Sequence, residues 1–342
     1  MKRELGIWIA ELRAPFLVAT LVSIFLGTSI AWVRNGIFNL EYFLLALFGG
    51  IFLHLGANIA NDYFDHKSGN DEINKEFVRP FSGGSRMIQL GLLTPRQVLA
   101  AALTSFSMAF LIGLYLTWVR GLFVLVLGLI GMFSGIFYTG APLNWAGKGI
   151  GEALVGINFG ALMTLGAYYV QTTVLSLEPL VASIPVSLLI AAVLYINEFP
   201  DYSADKAVGK NTLVVRLGRN RAAFGYMLIV VGSYIIVVLN VLVGIAPLYT
   251  LFALIPLPLA LRAIKVASKY HSEPLKLVPA NALTIVFHFL TSLLISFGYL
   301  SYRFETTSPS FFFVVIAIGV CALVTIYFYS KIKFPDASKN GN

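Results

Sequence analysis

A single cysteine, Cys321, stands in 342 residues, so neither a disulfide framework nor a thiolate metal cluster is expected. The four histidines (His54, His66, His271, His288) are scattered without HxxxH or HExxH spacing, which argues against a zinc site. Charge is scarce. Asp, Glu, Lys and Arg together make 12% of the chain, where an ordinary soluble domain carries about 25%. Such a chain could not cover a water-facing surface, and the same numbers exclude disordered, collagen-like and coiled-coil classes. No small-residue cleavage site follows the first apolar run, so no cleavable signal peptide is expected. What the chain has in place of charge is hydrocarbon. Residues of the set AVILMFWYC make 58%, and the mean hydropathy is +0.83. Its solvent is expected to be largely lipid.

A helix needs roughly 17–25 apolar residues to cross a bilayer. Ten runs qualify, at about 15–33, 41–61, 97–118, 121–138, 150–171, 178–199, 222–244, 246–261, 281–300 and 310–330. The eighth is the weakest, being short and holding Pro247, Pro256 and Pro258. The sequence thus predicts an all-α, polytopic bundle of nine or ten spans around a cytoplasm-facing cavity. Of the 24 basic residues, only Arg34, Arg120 and Arg303 fall in one alternate set of connections, and the other 21 fall in the opposite set. The positive-inside rule therefore puts the N-terminus and the even-numbered connections in the cytoplasm of a multi-pass cell-membrane protein. The net charge of +8 then reads mostly as topology, and no nucleic-acid partner is expected.

The acids are concentrated. Eight of the 16 lie in two stretches, Asn61-Asp62-Tyr63-Phe64-Asp65 through Glu76, and Asn197-Glu198-Phe199-Pro200-Asp201 through Asp205. Each stands at the cytoplasmic end of a span. Asn61 and Asp65 are an i, i+4 pair, and Asn197, Asp201 and Asp205 extend that stripe over three turns, with a kink expected at Pro200. Asp62, Asp65, Asp71, Asp201 and Asp205 would together cost on the order of 15 kcal/mol facing lipid. One such cluster would be as consistent with ordinary capping as with a site, but two alike on one side point to a shared wet cavity. Oxygen-only ligands suit Mg²⁺ or Mn²⁺. The same segments supply Lys75, Arg79, Arg86, Lys206 and Lys210, with Gly83, Gly84 and Gly209. Acids for metal beside cations for phosphate describe a diphosphate site, and lipid-facing helices around it suggest a hydrocarbon-tailed diphosphate. A cation-coupled transporter is the competing class, since buried acids suit it too.

The stretches NDYFD…D and NEFPDYSADKAVGKNTLVVRLG resemble the two aspartate-rich motifs of the UbiA superfamily of intramembrane prenyltransferases, over most of the chain from about Arg13 to about residue 300. Gly69-Asn70-Asp71, Tyr138-Thr139-Gly140-Ala141-Pro142 with Gly149-Ile150-Gly151-Glu152, and Ala207-Val208-Gly209-Lys210-Asn211-Thr212-Leu213 resemble the branch that prenylates 1,4-dihydroxy-2-naphthoate for menaquinone. The resemblance implies transfer of a prenyl chain from a polyprenyl diphosphate to an aromatic acceptor, with loss of CO₂ if that acceptor is dihydroxynaphthoate. Other acceptors of the superfamily are 4-hydroxybenzoate and ether-lipid, haem or chlorophyll precursors. It implies metal ligation by Asn61, Asp65, Asn197, Asp201 and Asp205. Asp71 substitutes for an aspartate that other branches place at position 69. Asp62, Asp65, Asp201 and Tyr138 would be the catalytic group. Arg13, Lys75, Arg79, Arg86, Lys148, Lys206 and Lys210 would hold diphosphate, and Tyr138 and Lys148 would close the site. Tyr63, Phe64, Phe137 or Tyr138 would shield an allylic cation, and Asp62, Asp65 or Glu152 would take a proton. His54 could touch the acceptor, whereas His66 is expected on the surface. The family usually has nine spans, so residues 1–305 are expected to form the prenyltransferase bundle as two pseudo-repeats, with motifs at 61–71 and 197–205. Residues 306–342 are expected to add a further span and a cytoplasmic tail.

Overall fold

A computed structural model describes residues 2–304 and 308–332. The expected boundary at 305/306 and the tail lysines Lys333 and Lys339 lie outside the described residues. Among these residues every element is helical, as lipid requires, because a helix satisfies its own backbone. In chain order they are α1 (Lys2–Glu11), α2 (Val18–Asn35), α3 (Leu40–Ser68), α4 (Asn70–Ile73), α5 (Pro95–Arg120), α6 (Leu122–Phe137), α7 (Gly151–Val155), α8 (Met163–Thr172), α9 (Leu177–Ala207), α10 (Leu213–Leu217), α11 (Arg219–Leu242), α12 (Leu257–Tyr270), α13 (Pro274–Arg303) and α14 (Pro309–Lys331).

Nine helical stretches among the described residues are long and apolar enough to cross a membrane. Leu122–Phe137 is apolar but has only 16 residues, about 24 Å of helix. Each of the ten apolar runs thus corresponds to one helical stretch. The eighth is a short tight helix, Leu248–Leu254, leading into α12, and together they form a 23-residue candidate span. The motif-bearing helices outrun their apolar segments. With 29 and 31 residues, α3 and α9 are roughly 43–47 Å long, against a hydrocarbon core of about 30 Å. The acidic motifs therefore ride on the last turns of these helices, and α9 continues as helix through Pro185 and Pro200.

Local chemistry sets the ends. Asn39 caps α3 by accepting from the Tyr42 amide at 3.0 Å, and Gly69, at φ 78°, ends it in a conformation that suits glycine. Thr94 and Gln97 form a capping box on α5. The main core joins α2, α9, α11, α12 and α13, where Tyr195, Tyr226, Tyr299, Phe199 and Phe287 are fully buried. Two of the buried tyrosine hydroxyls there are paired, Tyr226 with Thr284 at 2.6 Å and Tyr234 with Thr291 at 2.9 Å. A second core joins α3 to α5, where Phe106 lies so close to Gly56 that a Cβ there would stand 2.8 Å from its ring. Small residues admit such approaches between membrane helices. By contrast α6 buries only Ser134.

Candidate active site

The two acidic motifs meet. Asn70 donates to the Asp205 carboxylate at 3.0 Å, and Asn74 donates to Asp201 at 2.6 Å. The Gly83 amide adds a 3.1 Å bond to the other Asp201 oxygen. Lys210, delivered by the Gly209 turn (φ 75°), places its Nζ 3.2 Å from Asp65 and 3.6 Å from Asp205. Within the first motif Asn61 donates to Asp65 at 3.1 Å, so the i, i+4 pairing of the sequence is a real contact. Asp62 turns to the opposite side. It accepts from the Ser85 amide at 3.0 Å and stands 3.8 Å from Arg13.

These groups lie at one end of a large cavity. Arg13, Asn61, Asp65, Asp71, Tyr138, Asn197, Asp201, Asp205 and Lys210 all line it. Asp62 sits behind that lining. Lys75, Arg79, Arg86, Lys148 and Lys206 do not line it. Arg79 donates to the Ser85 carbonyl at 2.9 Å, and Arg86 binds the Asp71 carbonyl and lies over the Phe77 ring. Lys206 is exposed near Tyr202, and Lys148 is exposed with its carbonyl held by Arg216. Of the aromatics considered for cation shielding, Tyr138 lines the cavity and Tyr63, Phe64 and Phe137 do not. Glu152 is buried and accepts from the Leu213 amide at 2.8 Å. His66 pairs with Glu72 away from the cavity.

Several residues in or just behind the lining carry little sequence signal. Asn70 and Asn74 are the cross-motif donors, and Asn281 on α13 donates to the Asn197 side chain at 2.8 Å. Glu198 lines the cavity with one buried oxygen left without a hydrogen-bond partner. Deeper in, His54 accepts or donates through Nδ1 to Thr20 at 2.9 Å and packs on Phe159. Nearby, the Asn58 amide nitrogen and the Asn158 amide oxygen are buried without a partner among the described residues. Asn158 and Phe159 sit on a widened helical turn, Gly156–Leu162, of the kind found at functional sites. The asparagine spacing at 58, 61, 70 and 74 was the available clue to this polar wall.

The electrostatics are lopsided. Among the described residues, the cations beside Asp62, Asp65, Asp71, Asp201 and Asp205 are Lys210, Arg13 and Arg86. Burial pushes the Asp71 carboxyl up to about 8, with Asp65 and Asp62 adding to the rise. No three Asp, Glu, His or Cys side chains among the described residues are gathered tightly enough to hold an ion by themselves. The donors are nonetheless amide and carboxylate oxygens, and the buried side-chain oxygen of Asn70, in the lining, lacks a hydrogen-bond partner. That set fits Mg²⁺, which takes one or two carboxylates and completes its shell with water and substrate phosphate.

Residues 20–278 match the UbiA prenyltransferase family. The chain is 30% identical to the 2-carboxy-1,4-naphthoquinone phytyltransferase of Synechocystis sp., over 86% of its own length and 92% of that protein. It is 28% identical to the 1,4-dihydroxy-2-naphthoate octaprenyltransferase of Bacillus subtilis, over 87% and 94% respectively. Among solved structures it resembles a UbiA homolog from Archaeoglobus fulgidus bound to GPP and Mg²⁺, with a TM-score of 0.55 at 14% identity, covering 95% of this chain and 98% of that one.

Proposed function

Since the chain belongs to the UbiA prenyltransferase family, we propose that it transfers a prenyl chain from a polyprenyl diphosphate to 1,4-dihydroxy-2-naphthoate, releasing the acceptor's carboxylate as CO₂. The observation that carries this reading is the convergence of Asp65, Asp201, Asp205 and Lys210 on one end of a cavity whose remainder is mostly apolar. A charged head and a hydrocarbon tail have separate places there. 1,4-Dihydroxy-2-naphthoate is the acceptor in the names of several relatives that match most of the chain. The transporter alternative gives way to a family of transferases.

Asn61, Asp65, Asp71, Asn197, Asp201 and Asp205 would hold Mg²⁺, for which Mn²⁺ would substitute. Bound there, the metal would neutralise the diphosphate and improve it as a leaving group. The chain's own groups do the rest. Lys210 and Arg13 present N–H donors where negative charge grows on the departing oxygen. Tyr138 offers a ring face to the allylic cation left at C1. The wall of His54, Asn58 and Asn158 supplies hydrogen bonds to a hydroxylated acceptor in an otherwise apolar chamber. When the new bond forms at the carboxyl-bearing carbon, loss of CO₂ leaves behind the electron pair that restores the aromatic ring. No proton then has to be taken from that carbon. The basic-residue count supports a cytoplasmic N-terminus and a cytoplasmic mouth for the charged end. We read residues 1–305 as the catalytic bundle, because the family match ends at residue 278 and the cavity lining ends at Thr212.

The test is an assay of purified protein in detergent with Mg²⁺, labelled polyprenyl diphosphates and a panel of acceptors. Prenylated product and released CO₂ are expected with carboxyl-labelled dihydroxynaphthoate and not with 4-hydroxybenzoate. Product with 4-hydroxybenzoate alone would overturn the acceptor assignment, and no product with any acceptor would overturn prenyl transfer.

A further inference from the structure

Two prolines, Pro185 and Pro200, stand inside α9, which stays helical through both. A proline has no N–H with which to bond the carbonyl four residues back. The carbonyls left free are those of Val181 and Ile196. In a membrane helix such a group has to be satisfied by a neighbouring element. Both are, and by the same residue type. Asn240 on α11 donates its side-chain amide to the Val181 carbonyl at 3.1 Å, and Asn281 on α13 donates to the Ile196 carbonyl at 3.0 Å. Each interruption of α9 is thus repaired by an asparagine from another helix.

The brace at Pro200 holds a second group. The same Asn281 nitrogen also donates to the Asn197 side-chain oxygen at 2.8 Å. Asn281 is fully buried and does not line the cavity, whereas Asn197 does, so Asn281 reaches the site only through Asn197. A carbonyl oxygen only accepts. The contact with Ile196 therefore fixes the nitrogen end of the Asn281 amide, and that nitrogen selects the oxygen end of Asn197. Turned over, the Asn281 amide would set its own oxygen against two others. As it stands, that oxygen has no partner among the described residues, and the nitrogen makes both bonds. The orientation of one amide dictates the orientation of the next.

We infer that Asn281 is a positioning residue for the second acidic motif, one that uses the interruption of α9 at Pro200 to set the Asn197 amide. The inference rests on the reading of Asn197 as a Mg²⁺ ligand. An amide oxygen has two lone pairs. With one engaged by Asn281, Asn197 keeps the other for a cation and loses the freedom to turn its nitrogen end into that place. Groups that orient a metal's ligands are typically worth about 10- to 100-fold in metal affinity. Asn240 supplies the control. It repairs the same kind of defect, but at a carbonyl 15 residues earlier in α9, roughly 22 Å along the helix.

The experiment compares wild-type, Asn281→Ala and Asn240→Ala proteins in detergent by melting temperature and by calorimetric binding of inorganic pyrophosphate over a range of Mg²⁺ concentrations. Each alanine leaves a carbonyl of α9 unsatisfied, so both variants are expected to lower the Tm. Only Asn281→Ala is expected to raise the Mg²⁺ concentration needed for half-maximal pyrophosphate binding, by about tenfold or more. An unchanged Mg²⁺ requirement in Asn281→Ala, or an equal rise in Asn240→Ala, would overturn the positioning role. If Asn281→Ala does not fold, the comparison moves to a Pro200→Ala background, where the restored amide at position 200 can take the Ile196 carbonyl. The rise is then expected between Pro200→Ala and the double variant. Its absence, or failure of the double variant to fold, would make Asn281 a structural brace alone. Wild-type protein that binds no pyrophosphate at any Mg²⁺ concentration would instead overturn the reading of a metal-dependent diphosphate site.

Discussion

Lys210 and Asp65 stand 145 positions apart in the chain and 3.2 Å apart in space. The lysine also reaches Asp205 at 3.6 Å, so one ammonium ties the first acidic motif to the second. Its position follows from two local facts. The α9 helix ends beside Asp205, and Gly209 turns the chain back so that the Lys210 amide donates to the Asp205 carbonyl at 2.8 Å.

Replacing Lys210 with methionine keeps an unbranched side chain one atom shorter and removes its charge. The expected result is a fall in kcat/KM of about 10²–10³, the range seen when a donor to developing negative charge is lost. Steady-state turnover with saturating acceptor measures it. Arginine at the same position should restore part of the loss, and full activity in the methionine variant would dismiss the proposed role.

Asn74 holds Asp201 through a 2.6 Å bond across the motif boundary. Hydrogen bonds to charged groups contribute about 1.5–3 kcal/mol, so Asn74→Ala should lower kcat/KM for the donor by roughly 10- to 100-fold. The acceptor KM should stay near its original value. An unchanged donor kcat/KM would show that Asp201 is positioned without Asn74, by the Gly83 amide and Ser82.

Chelation should abolish turnover, with Mg²⁺ restoring it and Mn²⁺ substituting. A second readout avoids activity altogether. Calorimetric binding of inorganic pyrophosphate should require Mg²⁺ and should weaken by at least about tenfold when both Asp65 and Asp201 are replaced by alanine. Metal-independent pyrophosphate binding would remove the metal assignment.

Glu11 on α1 is fully buried, accepts a hydrogen bond from Ser85 and faces Asp62 and Arg13. Burial raises its carboxyl from 4.5 to about 7, and Asp62 adds to the rise. The sign follows directly. Below pH 4.5 folded and unfolded chains are both protonated at this group and no penalty exists. From 4.5 to 7 the unfolded chain gives up its proton first, so folding is progressively disfavoured; above 7 the penalty is constant. Glu11→Gln should therefore raise the apparent Tm at pH 8 and change it little at pH 4.5. Fluorescence-monitored melting in detergent at both values tests this, and an equal shift at both would exclude a titration effect.

Much of the fold was readable because lipid leaves few options. Each of the ten apolar runs became one helical stretch, and runs that could not form sheet or loop at membrane depth had only one structure available. The acids were readable for the same reason: Asp65, Asp201 and Asp205 are conspicuous where charge is expensive. The cations were harder to sort. Lys206 and Lys210 differ by one turn of chain, yet one is exposed and the other lines the cavity, and only the Gly209 turn distinguishes them. Residues that orient a membrane protein and residues that grip phosphate share a composition, so Arg79 and Arg86 looked like Lys210 until the 74–94 segment was folded. Asn70 and Asn74 were hidden differently. An asparagine announces no partner, and theirs come from a helix more than 120 residues later. The apolar stretch of the cavity had no signal of its own, since an aliphatic side chain facing a void and one facing lipid read alike.

The hydrogen bonds from Asn70 to Asp205 and from Asn74 to Asp201 have a consequence for divided forms of the protein. The second half completes its acidic motif with these donors from the first, and Lys210 of the second half donates in return to Asp65 of the first. A gene split in the α8–α9 connection would therefore yield two insertable but inert fragments, and competence would return only on their co-expression.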